Sequence, residues 1–122
     1  MGITETTIRA TLREMAVPVE NKGYEYLVQA LLMNTAEPSK SLKIRDIYLE
    51  LSKKEGVTPR TIESSLSSVV GKTVKSLSKA EFCLYFGSYP EKLGVVDGHM
   101  KVASFVFGLS EYLYVDNKVN KY

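Results

Sequence analysis

The chain has 122 residues, of which 44% are hydrophobic and 25% charged, with a net charge of +2. That is one domain's worth of polypeptide with enough apolar material for a single core, which excludes wholesale disorder. No apolar run approaches the roughly 20 residues that span a bilayer, the start MGITETTIRA lacks a basic and apolar leader, and one cysteine with one histidine excludes an internal disulfide, a cysteine zinc site and most catalytic triads. The expected setting is therefore reducing and cytoplasmic, without membrane contact.

In chain order, Ile3, Ile8, Leu12 and Met15 recur at helical spacing and predict a helix over 3–16, ended at Val17-Pro18 because the residue before proline leaves the α region. A second apolar stripe starts after Gly23 with Tyr24, Leu27, Val28, Leu31 and Leu32. Asn34–Ser41, with Pro38 and small polar residues, reads as a loop. Leu42, Ile44, Ile47, Tyr48 and Leu51 predict a helix over 42–54, closed by Lys53, Lys54 and Gly56. Thr58 caps the next helix and Pro59 takes its first position, giving a helix over 59–76 with Ile62, Leu66, Val69, Val70 and Thr73 on one side.

Ser78 with Glu81 is a capping-box pattern that opens a short helix over Lys79–Phe86. Gly87–Gly98 has no period and reads as a loop, after which Asp97 is placed to cap a last helix carrying Met100, Val102, Ala103, Phe105, Val106, Leu109, Tyr112 and Leu113. Asp116–Tyr122 is polar and is expected to fray. With no alternating strand pattern, the reading is an all-α fold, a compact bundle of about six helices. It forms a single domain over 1–122 with its core over about 3–115.

Charge is unevenly spread. Residues 1–39 sum to −2 and residues 80–122 to −1, whereas residues 40–79 carry nine basic and four acidic side chains, net +5. A solvated lysine surface and a polyanion-binding segment both fit that number. The segment also holds two helices joined by Glu55-Gly56-Val57-Thr58, a connection short enough to make them cross steeply as in a helix-turn-helix over about 42–76. Val57, Ile47, Leu51, Ile62 and Leu66 are expected to seal the angle.

On a helical wheel, the side of 59–76 opposite Leu66 and Thr73 carries Arg60, Thr61, Ser64, Ser67, Ser68, Gly71 and Lys75, with Glu63 at its edge. Such a helix fits the major groove of double-stranded DNA, where small serines allow close approach and arginine, serine and threonine bond bases or phosphates. Arg60, Thr61, Ser64, Ser67 and Ser68 are the candidates to face the groove, with Thr58 and Glu63 beside them as further candidate DNA-binding residues. Lys53, Lys54, Lys72, Lys75 and Lys79 are candidate phosphate contacts. A helix-turn-helix scaffold that serves only protein contacts is the alternative.

The residues Val17-Pro18, Lys22-Gly23-Tyr24, Tyr26 and Leu27 form V-P-x-x-x-K-G-Y-x-Y-L. This resembles the start of the DNA-binding effector domain of the sporulation stage-zero response regulator family. Tyr48, Lys53-Lys54, Thr58, Ile62 and Glu63 are similarly placed in its helix-turn-helix, Leu84-Tyr85-Phe86-Gly87 resembles its L-F-G element, and Ser104-Phe105 opens a similar closing helix.

The resemblance spans about Ile8 to Leu113. It implies a six-helix fold, a transcription factor on promoter DNA, a recognition helix in the major groove, and protomers that pair on tandem sites. Two arginine positions of the family's recognition helix align with Ser64 and Ser67, and only Glu63 of the base-reading group matches, so the family's operator is not transferred. The family carries a receiver domain ahead of this module, so the expectation is a stand-alone relative or a fragment, with no phosphorylation control assigned to it. Gly71 interrupts the recognition helix at a cost of about 1 kcal/mol relative to alanine and offers an earlier end as an alternative to Ser76.

Cys83, among Phe82, Leu84 and Phe86, reads as a buried inert thiol, and His99 as a surface or capping residue. Tyr24, Tyr26, Tyr48, Tyr85 and Tyr112 fall within apolar periods and read as core. No acid pair, metal cluster, nucleophile–base set or phosphate loop emerges, so no catalytic residue, metal, cofactor or small-molecule substrate is expected.

Overall fold

The structure, a computed structural model, describes residues 3–36 and 42–119, with side chains described through Val115. It contains six α-helices, α1 (Glu5–Glu14), α2 (Gly23–Ala36), α3 (Ile44–Glu55), α4 (Pro59–Ser76), α5 (Lys79–Phe86) and α6 (Val102–Val119), with a 3-10 turn at Pro90–Leu93. No strand occurs among the described residues. The all-α expectation therefore holds.

Helix α2 lies at the centre, packed by α1, α3, α4 and α6, while α4 also packs on α3 and α6 and α5 rests on α6. The stripes read from the sequence turn inward. Ile8, Leu12, Leu27, Val28, Leu31, Ile47, Ile62, Leu66, Val69, Val70, Phe105, Val106 and Leu109 are all buried in one contiguous core. Each large aliphatic side chain removed from water in this way contributes about 1.5–3 kcal/mol. Tyr24 and Tyr85 are buried, and Tyr26, Tyr48 and Tyr112 pack against the core half-buried. Thr35, Thr73 and Ser110 are buried hydroxyls that donate to the carbonyls of Leu31, Val69 and Val106, each at 2.7 Å, which removes the cost of their burial.

Several boundaries differ from expectation. Helix α1 stops at Glu14, a turn before the proline. Ala16 adopts φ 59°, and the N–H groups of Ala16 and Val17 return to the carbonyls of Arg13 and Leu12 at 3.0 Å each. This is a Schellman closure with alanine where glycine is usual, so the backbone itself ends the helix. Asn34, Thr35 and Ala36 belong to α2 rather than to a loop, while residues 37–41, including Pro38, lie outside the described residues. Helix α3 runs over Ile44–Glu55, leaving three linking residues instead of four.

Gly71 does not end α4, which continues to Ser76 because Val69, Val70, Thr73 and Val74 are buried on either side of it. The loop after α5 is partly ordered by the 3-10 turn and by a bridge between Val96 and His99, whose backbones exchange hydrogen bonds of 3.1 and 2.9 Å. Asp97 (φ 51°) and Gly98 (φ 76°) form the two central residues of that turn, the Asp-Gly pairing that a two-residue hairpin favours. Asp97 thus caps no helix. Helix α6 begins at Val102 and extends through Asp116–Val119, which were expected to fray; residues 120–122 lie outside the described residues. Cys83 is half-buried rather than buried, and His99 is exposed.

Candidate nucleic-acid interface

The turn between α3 and α4 is held from both sides. Gly56 takes a left-handed conformation (φ 69°) that L-residues with a Cβ avoid, and its N–H and that of Val57 both bond the Ser52 carbonyl, at 3.0 and 3.2 Å. The Ser52 hydroxyl returns a hydrogen bond to the Val57 carbonyl. Thr58 caps α4 by accepting the Thr61 N–H at 3.2 Å, and the two threonine hydroxyls lie 2.9 Å apart. Behind the turn, Ile47, Leu51, Ile62 and Leu66 are buried and Val57 packs on them half-buried, as the sequence pattern anticipates. The start of α3 is weakly capped, with the Asp46 carboxylate accepting the Lys43 N–H at 3.3 Å.

This scaffold turns the polar side of α4 outward. Arg60, Thr61, Glu63, Ser64, Ser67, Ser68, Lys72 and Lys75 are all exposed. Gly71 is half-buried on the same side, and a Cβ added there would meet nothing within 4 Å. The exposed strip has defined edges. On one edge, Ser68 accepts a hydrogen bond of 3.3 Å from the Asn21 side-chain amide, whose Oδ1 accepts the Gly23 N–H at 2.8 Å and so opens α2. On the other, Glu63 and Ser67 line a pocket of about 330 Å³ with Ile44 and Tyr48 of α3 and Met100–Ala103. Burial, reinforced by the negative charge of Glu63, pushes the Tyr48 phenol up to about 12, so it stays neutral throughout the ordinary pH range. A shallow depression of about 300 Å³ at the start of the helix gathers Thr58, Arg60, Thr61, Ser64 and Ser65.

The basic residues are less uniform. Among the described residues no carboxylate pairs with Arg60, Lys53, Lys72 or Lys75, which leaves four cations in or beside the strip. Lys54 instead donates to Gln29 of α2 at 2.9 Å, and Lys79 pairs with Glu91 at 3.3 Å. Asn21 and Lys101 stand outside the candidate residues read from the sequence. Asn21 carries a local signal, an Asn two residues ahead of a helix-opening glycine. Lys101 carries none, because its place beside α4 depends on packing across the fold.

The family model described as sporulation initiation factor Spo0A C terminal matches residues 8–93, well over half of the chain. The chain belongs to this family. Its members are DNA-binding effector domains of sporulation regulators, a family without enzymatic function. The match runs from within α1 through α5 and the 3-10 turn and stops before α6. No curated protein and no solved structure matches the chain. No described helix is long and apolar enough to cross a membrane, and the described residues hold no group of three or more metal-ligating side chains.

Proposed function

We propose that residues 1–122 form one domain that acts in the cytoplasm as a sequence-specific transcription regulator, laying α4 in the major groove of double-stranded DNA and pairing with a second copy on tandem sites. Arg60, Thr61, Glu63, Ser64, Ser67 and Ser68 read or approach the bases, and Thr58 orients the start of the helix. Lys53, Lys72 and Lys75 bind phosphates, joined by Lys54 once it leaves Gln29. The observation that carries this reading is the open strip of α4, where Arg60, Ser64, Ser67 and Gly71 face solvent with Glu63 as the one acid. Family membership supports it.

A salt titration of duplex binding tests the reading. Lys53, Lys54, Lys72 and Lys75 would release about four sets of condensed counterions. The log–log slope should then lie near −3 to −4, and affinity should fall roughly a hundredfold between 50 and 200 mM salt. Arg60→Ala weakens binding, whereas Arg13→Ala, on the exposed side of α1, leaves it unchanged. Duplex affinity indifferent to salt contradicts the reading.

The serines at 64 and 67 favour a second reading, a helix-turn-helix that has exchanged base readout for a protein partner. A partner captured through the α4 strip by a protein without duplex affinity identifies that case.

A further inference from the structure

We infer that Lys101, at the junction between the Asp97-Gly98 turn and α6, is a DNA-backbone contact that extends the α4 interface with an element from outside the matched family segment. The inference rests on the DNA-binding reading of α4.

The packing places the turn against α4 in two ways. The Lys75 stem crosses Gly98 so closely that a Cβ there would stand 2.7 Å from Lys75 Cγ. Met100, Lys101, Val102 and Ala103 share a pocket with Glu63 and Ser67, two of the proposed readout residues. Lys101 is held in position. Met100 and Val102 on either side of it are buried, which forces the intervening side chain outward, and its carbonyl accepts the Phe105 N–H at 3.1 Å. The side chain is exposed, and no ion pair among the described residues joins it to Glu63.

A cation fixed beside the edge of a groove-reading helix meets the phosphates that border that groove, and phosphate contacts of this kind set register without selecting sequence. Asp97, the acid of the turn, is exposed at its tip. The edge carrying Lys101 thus lies opposite the edge where Asn21 meets Ser68, so α4 would be flanked on both sides by other segments of the chain.

The test compares salt titrations of intact protein on one duplex for the unsubstituted chain, Lys101→Ala, Lys101→Arg and Arg13→Ala. Losing one phosphate contact makes the log–log slope shallower by about 0.9 and weakens binding about eightfold at 0.1 M salt. Lys101→Ala is expected to show both changes with unaltered sequence preference, Lys101→Arg to retain the original slope, and Arg13→Ala to retain it despite removing the same charge. Salt-dependent binding by the unsubstituted chain with an identical slope for Lys101→Ala overturns the inference and leaves the function standing. Absence of salt-dependent binding by the unsubstituted chain overturns both.

Discussion

Gly23 opens α2 directly against the Ser65 carbonyl of α4. A Cβ built on Gly23 would collide with that oxygen and stand 2.9 Å from both the carbonyl carbon and Val69 Cγ1. The glycine of the K-G-Y motif is therefore the point at which the central helix supports α4. Close approach of the two backbones also brings Asn21 within reach of Ser68. Gly23→Ala must push α2 and α4 apart. Overpacking of this kind costs about 1–3 kcal/mol, so the urea midpoint is expected to fall with an unchanged slope. An unchanged midpoint contradicts the contact.

The α1–α2 seam carries a two-pronged ion pair. The Arg9 guanidinium donates to both Glu25 oxygens, at 2.8 and 2.9 Å, and to Glu5 at 2.9 Å, while lying 5.6 Å from the centre of the Tyr24 ring. Hydrogen bonding to Arg9 holds the Glu25 carboxyl below its ordinary 4.5. A lowered folded value means that the stabilisation is present above the ordinary pKa and is lost as pH falls through the lower folded one. Both partners are substantially exposed, so solvent screening limits the pair to less than about 1 kcal/mol. Glu25→Gln is expected to lower the melting temperature slightly at pH 7, with the difference shrinking below pH 4.5. A difference that grows in acid contradicts this sign.

Ala16 occupies a left-handed position with φ 59° and is exposed. An L-residue pays roughly 1–2 kcal/mol for that conformation, partly offset because glycine would loosen the unfolded chain by about 0.4–1 kcal/mol. Ala16→Gly is therefore expected to stabilise the protein by about 0.5–1 kcal/mol, read as a melting temperature a few degrees higher. A lower melting temperature would show that the Schellman closure tolerates alanine without strain.

Ser64 and Ser67 are exposed on the strip that Gly71 leaves open, so larger side chains fit there without disturbing the core. Arginine at either position supplies the bidentate donor that recognises guanine, an interaction worth about 1–3 kcal/mol of discrimination. Ser64→Arg and Ser67→Arg are expected to tighten binding to guanine-containing duplexes, while thermal stability changes little. Equal affinity across all duplexes would place these positions away from the bases.

The legibility of the sequence follows how local each determinant is. Helices α4 and α5 match their expected limits because their ends are set by neighbours a few residues away. Thr58 and Pro59 open one, and Ser78 with Glu81 opens the other through reciprocal bonds of 2.9 and 3.1 Å. The buried stripe of α4 was equally legible from its spacing. The end of α1 was not, since alanine gives no compositional sign of a left-handed residue. Asp97 looks like a helix cap in sequence, yet the following glycine makes a hairpin turn of it.

Phe105 of α6 is fully buried, 5.2 Å from Phe86, so its ring belongs to the core. The strip itself was legible. Its edges were not, because Asn21 and Lys101 reach α4 only through tertiary packing.

Selection from a random-duplex library with the purified chain addresses the central claim most directly. The account predicts recovery of a defined motif whose enrichment is lost in Arg60→Ala and in excess salt. Recovery of no motif, by a protein that remains folded and keeps its six helices, would contradict it.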